Sequence, residues 1–545
     1  MSIQPDFDAV VIGGGLTGLY QTYRLRELGF RVRGIEASDN IGGVWHLNRY
    51  PGARIDSESE VYGYFWNEQL MQEFNWSERF AGQPEVLRYI HRAADYMDIR
   101  KDYMFNARVS SAVFDEGNSI WTLGFQDAGL APLTARFVFS ALGPLSTPQM
   151  PNVPGVHTFR GMSLHTAQWP RDPNGLGPAK LPLEGKRIAV IGTGSSGVQV
   201  IQEMAKIASQ LTVFLRSPNW GTPLGNGPMT QEMMDHIKSN YGQFIAKCDN
   251  SIAGFPHEFI TKNLFEVPKD ERDATLEELY NGPGFSLWLG AYQDVLMEPE
   301  ANKYVSNFVA DKIRQRVKNP KIAEKLIPKD HGFGMKRVPL ETNYYEVYNQ
   351  NNVSIVDLNE TPITRIAPEG IETTNSLYEF DVIIYATGFD AIKGSWNRID
   401  IRGKSGVALK DEWDKGVKTY MGLQCSGFPN LFLLVGPQNG ATFCNIPRCS
   451  ALVVDWLSDM MASIKDQKIT LVEPETEAVE SWTGYCDKLM GRMLLGRTNS
   501  WFTGINKNIK GRDKRETLLF VGGNPKFRQY CEDVKAQDYK GFQFT

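Results

Sequence analysis

Two glycine-rich turns, each set between apolar runs, limit what this chain can fold into more than any other feature. The first reads Asp8-Ala-Val-Val-Ile-Gly13-Gly14-Gly15-Leu-Thr-Gly18, then an amphipathic stretch to Leu28-Gly29 and a second run, Arg31-Val-Arg-Gly-Ile-Glu36. The order is strand, glycine turn, helix, strand. Gly13 permits the tight turn, Gly15 lets a pyrophosphate reach the backbone, and Gly18 lets the helix sit close to the strand. The helix N-terminus then faces the phosphates. Glu36 closes the second strand 18 residues past Gly18. Its carboxylate suits both hydroxyls of an adenosine ribose and repels a 2′-phosphate, so this unit takes FAD or NAD rather than NADP.

The unit then repeats. Lys186-Arg-Ile-Ala-Val-Ile-Gly192-Thr193-Gly194-Ser195-Ser196-Gly197 opens a helical run, Val198 to Ile207, and a strand follows over Leu211–Leu215. Where the first unit has Glu36, the second has Arg216-Ser217. A guanidinium and a hydroxyl in place of the acid are the exchange that a 2′-phosphate requires, which points to NADPH. Two dinucleotide folds in one chain imply electron transfer between two cofactors, here FAD and NADPH. The fold class expected is α/β, with two Rossmann-like dinucleotide-binding domains and a helical insertion.

The remaining sequence divides around these units. Phe137-Val-Phe-Ser-Ala-Leu-Gly143-Pro144 and Asp381-Val-Ile-Ile-Tyr-Ala-Thr-Gly388 are apolar runs stopped by glycine, and they read as strands that carry the chain between the two folds. From Pro223 to about Lys329, segments such as Glu232–Lys238, Glu271–Tyr280 and Ala310–Val317 have helical periodicity and mixed charge. The division expected is an FAD domain over 1–145 and 391–545, an NADPH domain over 146–222 and 330–390, and a helical insertion over 223–329. Asn430-Leu-Phe-Leu-Leu-Val-Gly436-Pro437 reads as a last buried strand ending at the flavin.

Composition removes several function classes. Lys and Arg number 58 and Asp and Glu 63, so the net charge of −5 offers no positive field for a polyanion and nucleic acid is not an expected partner. Six cysteines without a CxxC pair suit a reduced, cytoplasmic chain. The start, Met-Ser-Ile-Gln-Pro-Asp-Phe-Asp, has no basic leader, and no apolar run approaches 20 residues, so neither a signal peptide nor a spanning helix is expected.

Between the two units lies Phe159-Arg-Gly161-Met-Ser-Leu-His165-Thr-Ala-Gln-Trp169-Pro170. It matches FxGxxxHxxxWP, the signature that resembles type I Baeyer–Villiger monooxygenases. A second stretch agrees: Gly42-Gly43-Val44-Trp45, then Tyr50-Pro51-Gly52, then Asp56. The resemblance covers essentially the whole chain. Its Lys336-Arg337 block and the loop Gly436–Asn445 look closest to the branch acting on terpenoid or bulky cyclopentanone-type ketones. What the resemblance implies is an enzyme in which NADPH reduces FAD, O₂ adds at the flavin C4a, and the peroxide attacks a ketone to give an ester or lactone. Arg337 stands where the family keeps its active-site arginine, and Asp56 matches the carboxylate that orients it. Lys336 resembles the residue that joins Arg216 at the NADP 2′-phosphate. Trp501 matches a mobile tryptophan over the nicotinamide, and Trp45 and Tyr62 resemble residues packed against the flavin. With Gly43 and Val44, these complete the expected cofactor-binding set.

His165 titrates near neutrality and is a natural acid–base candidate. Its place on the linker favours a hinge instead. A flavin monooxygenase that oxygenates amines or thioethers is the nearest alternative, though its linker signature lacks the Trp169-Pro170 ending. A disulfide reductase would use a pair like Cys444 and Cys449, but would carry it beside the first glycine turn. These two therefore read as separate pocket-lining or core thiols. The expected partners are a small-molecule ketone and O₂, with the chain a monomer.

Overall fold

The protein is described by a computed structural model that covers residues 4–545. Met1–Ile3 lie outside the described residues. The strand Phe7–Ile12 runs parallel between Val32–Ile35 and Leu133–Ser140. Ala9, Val10 and Val11 are wholly buried because helices and loops cover both faces of this sheet. Eight strands join it. In order they are Asp400–Arg402, Val109–Asp115, Ile120–Phe125, Leu133–Ser140, Phe7–Ile12, Val32–Ile35 and Tyr103–Met104, with Leu431–Leu433 added on the far half of Leu133–Ser140. That last strand is reached only after the chain has built everything in between.

The second sheet has five parallel strands in the order Val353–Asp357, Gln210–Leu215, Arg187–Ile191, Val382–Tyr385 and Met162–His165. Its helix begins at Ser195, three residues earlier than the helical run read from the sequence. The reason is local: Gly194 has the extended conformation of an N-cap, so the two serines enter the first turn. A small antiparallel sheet, Ile363–Ala367, Gly370–Thr373 and Leu377–Glu379, extends this half and went unrecognised in the sequence.

Between Thr222 and Lys329 the chain is helical, with helices at Gln231–Ser239, Tyr241–Asn250, Lys269–Asn281, Ser286–Gly290, Pro299–Arg316 and Pro320–Leu326. Thr230 caps the first by accepting the Met233 N–H at 3.2 Å. Arg316, at the end of the longest, donates to Glu341 at 2.7 Å and to Glu346 at 2.6 Å. Glu341 is buried, and a buried carboxylate without that guanidinium would be costly, so the pair ties the insertion to the segment that follows Arg337. The helix Ile446–Asp466 packs along Leu16–Glu27, where the Tyr20 hydroxyl donates to Asp455 at 2.5 Å. No helix among the described residues is long and apolar enough to cross a membrane.

Burial holds four histidines, His46, His91, His165 and His331, below their ordinary pKa of 6.5. Desolvation disfavours the imidazolium, so the unfolded chain binds more protons than the folded one as pH falls. The stability these residues contribute is present above pH 6.5 and is lost as pH drops through their lowered values. Thermal unfolding followed from pH 7.5 to 5 is expected to show a falling midpoint that begins near 6.5; a midpoint that rises over that range would contradict the burial of these rings.

Candidate active site

The two glycine turns repeat one geometry. Gly13 and Gly192 both have positive φ, +115° and +109°, and a side chain on either would collide with a carbonyl oxygen, that of Ala141 or Ala386. Those carbonyls belong to the strand-ending segments after Leu133–Ser140 and Val382–Tyr385, so each turn is seated on the neighbouring strand. Gly18 and Gly197 press their helices against the carbonyls of Gly13 and Gly192. Gly194 faces open space, and Gly15 faces only the Cα of Gly43. Room for a phosphate is therefore kept above each helix N-terminus, at Leu16 and at Ser195.

Both turns open into a single cavity of about 1390 Å³, lined among others by Gly13, Gly15, Gly43, Val44, Trp45, Gly194, Ser195 and Ser196. Pockets for one drug-sized ligand run to about 1,000 Å³, so this volume suits more than one bound molecule. Glu36 is buried at its edge, with one carboxylate oxygen accepting the Gly14 N–H at 2.7 Å and the other the Ser38 N–H and hydroxyl at 2.7 and 2.6 Å. These bonds fix its orientation and leave lone pairs for ribose hydroxyls. At the second turn Arg216 is exposed and Ser217 half-buried, and both line the cavity. Arg216 donates to Asn508 at 3.3 Å, across 292 residues of chain. Lys336 lines the same region and pairs with Asp330 at 3.1 Å. Thr193 is outside the lining: it is buried, and its hydroxyl donates to the Ser217 carbonyl at 3.1 Å, bracing the turn from behind.

Arg337 and Asp56, 281 residues apart, meet at 2.5 Å in the cavity wall. Arg337 also stacks over the Phe285 ring, 5.1 Å from its centroid. Carboxylate and ring together hold the guanidinium in one orientation. Beside them the Trp45 indole N–H donates to the Tyr62 hydroxyl at 2.8 Å, with the rings edge to face. Burial raises the Tyr62 pKa, and the Asp56 charge adds to the rise, so this phenol stays protonated. Trp501 lines the cavity from the C-terminal segment, its ring 4.3 Å from that of Phe502.

His165 lies apart from this wall. It is buried at the end of the strand Met162–His165, its Nδ1 accepting the Ala167 N–H at 3.1 Å. Its Nε2 therefore carries the proton and faces the Thr387 hydroxyl at 3.5 Å. His165 thus links the linker to the segment that ends the Val382–Tyr385 strand.

The loop Gln438–Asn445 and the helical insertion, expected to shape the pocket, supply wall residues that the sequence does not single out. Phe255, Trp288 and Phe443 line the cavity, and Phe285 stands behind them, 5.2 Å from both Phe255 and Trp288. For two of these rings the sequence carries a local signal, the closely spaced aromatics of Phe285-Ser-Leu-Trp288 inside the segment expected to be helical. Glu58, two residues past Asp56, lies 3.0 Å from His257 and fills the space beside Gly284, setting the approach of Phe285. Cys444 and Cys449, expected as separate thiols, are brought together instead, with Cα atoms 6.1 Å apart and their sulfurs in contact. Cys444 ends the loop before the helix Ile446–Asp466 and Cys449 lies in its first turn, which brings the two sulfurs together over Gly254.

The sequence pattern of the family described as pyridine nucleotide-disulphide oxidoreductase matches residues 7–243. A Pseudomonas putida protein named 2-oxo-Delta(3)-4,5,5-trimethylcyclopentenylacetyl-CoA monooxygenase is 48% identical over 541 residues, 99% of each chain. Cyclopentanone 1,2-monooxygenase of a Comamonas species is 43% identical over 546 residues, 100% of this chain and 97% of that one. A solved structure described as OTEMO in complex with FAD and NADP matches at a TM-score of 0.96 and 47% identity, over 100% of both chains. Likeness of this extent, on a chain with two dinucleotide turns facing one cavity, places it in a family: the chain belongs to the Baeyer–Villiger monooxygenases, enzymes that use FAD, NADPH and O₂ to insert one oxygen atom beside a ketone carbonyl.

Proposed function

We propose that Arg337 is the catalytic cation of this monooxygenase, that Asp56 positions it, and that the ketone is a five-membered or bulkier cyclic one. The observation that carries this reading is the Asp56–Arg337 pair at 2.5 Å, held over Phe285 in the cavity that both glycine turns reach. Bound FAD, once reduced by NADPH, supplies the activated oxygen. What the chain must add is stabilisation of the negative charge that develops on the ketone oxygen, with water kept out. A guanidinium is charged at every working pH, so Arg337 offers that charge without surrendering a proton. Asp56 restrains its rotation and keeps it aimed across the cavity. The aromatic wall of Phe255, Trp288 and Phe443 gives the ring an apolar surface. The names of the cyclopentanone and trimethylcyclopentenyl relatives support the ring class.

In this reading Gly13, Gly15, Gly18, Glu36, Gly43, Val44, Trp45 and Tyr62 hold FAD. Gly192, Thr193, Gly194, Ser195, Ser196, Gly197, Arg216, Ser217, Lys336 and Trp501 serve NADPH, with Thr193 acting through the turn. The domain division at 145, 222, 329 and 390 is part of this proposal, and the order of the two sheets and the helices supports it. Because one chain supplies both turns and Arg337, the site needs no second copy, which supports a monomer. The need for a steady NADPH supply supports the cytoplasm. His165 serves as a hinge between linker and second sheet.

Arg337→Ala is expected to let NADPH bleach the flavin while ester formation falls by about a thousand-fold, the order lost with an oxyanion donor; ester formation at the normal rate overturns its role. Arg216→Ala should raise the KM for NADPH by about ten-fold or more and leave that for NADH nearly unchanged, as removal of one phosphate-specific charge contact requires. Equal effects on the two coenzymes would contradict the 2′-phosphate assignment. His165→Asn should slow turnover and keep the pH–rate profile intact; a lost limb of that profile would make His165 an acid–base residue.

A further inference from the structure

The segment 492–515 carries seven Lys or Arg against one Asp, in a chain whose net charge is −5. Not all of this charge faces the same way. Arg512 is buried and paired with Asp390 at 2.8 Å. Lys507 lines the cavity next to Asn508, the residue that receives Arg216, and so belongs with the 2′-phosphate of the coenzyme. Arg492, Lys510 and Lys514 lie outside the cavity lining, which leaves Arg497 and Arg515. Both are exposed and both line the cavity. Arg515 donates to the neutral amide oxygen of Asn499 at 2.8 Å. Among the described residues, neither arginine has a carboxylate partner.

Their position relative to Arg337 follows a row of rings. Phe285 lies under Arg337, Trp288 is 5.2 Å from Phe285, Phe443 is 6.0 Å from Trp288, and Phe502 is 5.1 Å from Phe443. Phe502 and Trp501 share the short helical turn Trp501–Thr503, which packs against the turn Leu494–Arg497 that ends at Arg497. An apolar wall thus leads from the catalytic cation to two exposed cations without carboxylate partners among the described residues. A neutral cyclic ketone would use the wall and leave the rim empty. Two guanidinium groups free of carboxylates at the end of an apolar path match an anion carried on the far end of the substrate, since planar guanidinium recognises carboxylate and phosphate oxygens in pairs.

We infer that this enzyme prefers cyclic ketones bearing an anionic tail, a carboxylate or a phosphate, and that Arg497 and Arg515 bind that tail. The inference rests on the proposal that the ketone sits at Arg337. It is tested on the holoenzyme with 2-oxocyclopentylacetic acid, its methyl ester and its CoA thioester, with the KM for NADPH measured beside each. The wild type should show a KM for the acid about ten-fold below that for the methyl ester, with the gap narrowing as salt rises, as exposed charge contacts require. The Arg497→Gln/Arg515→Gln variant should close the gap by weakening the acid, and Arg515→Lys should keep part of it. A thioester KM below that of the acid marks phosphate as the preferred anion, and one above it marks carboxylate; both support the tail. Equal KM values for acid and methyl ester in the wild type overturn the inference. So does a variant whose loss falls on the KM for NADPH and on both ketones alike, since the rim would then serve the coenzyme. Absence of product from all three ketones, with flavin still bleached by NADPH, instead counts against the ring class proposed above.

Discussion

The contact between Asp56 and Arg337 is the constraint on which the rest of the site depends. The two side chains come from opposite parts of the chain and are partly exposed, 27% and 32%, so neither is trapped by burial alone. Their meeting requires the loop after the first dinucleotide unit to dock on the segment that follows the helical insertion. Arg316 secures that segment through Glu341 and Glu346. Glu58 secures the other side through His257, and with Gly284 it sets where the Phe285 ring can lie beneath the guanidinium. A single charge is thus aimed by contacts from the first unit, the insertion and the segment after it. An isolated exposed pair would contribute about 1 kcal/mol or less, so the value of this one lies in direction and not in stability.

The dinucleotide units were legible in the sequence because their determinants are local. Gly13 and Gly192 adopt positive φ, and the apolar runs on either side of each turn, Phe7–Ile12 with Val32–Ile35 and Arg187–Ile191 with Gln210–Leu215, lie within about 25 residues of it. The exchange of Glu36 for Arg216 and Ser217 was legible for the same reason. Arg337, Asp56 and Trp501 were legible only through the family likeness; nothing within a few residues of Arg337 announces a site.

What escaped the sequence reading is long-range. Leu431–Leu433 reads as a buried strand, but its place on Leu133–Ser140 is set by packing across about 300 residues. The aromatic wall was not legible because its members, Phe255, Phe285 and Trp288 of the insertion and Phe443 of the loop Gly436–Asn445, converge only when the insertion folds back on the cavity. The contact between Cys444 and Cys449 escaped because spacing alone does not show that a helix starts at Ile446 and turns one sulfur toward the other. Thr193 stands inside the second glycine turn, and its side chain braces that turn through the Ser217 carbonyl.

The fold therefore does two separable things. Its repeated unit brings two dinucleotides to one cavity by backbone geometry, and its insertion and C-terminal segment line that cavity with rings and cations. The central claim is that Asp56 acts through Arg337 and not on its own. A double-mutant cycle on ester formation, with Asp56→Ala, Arg337→Ala and the double variant measured in single-turnover reactions of flavin already reduced, tests it most directly. The account predicts that the double variant forms ester no more slowly than Arg337→Ala alone. Losses that multiply would contradict it, because each residue would then act independently.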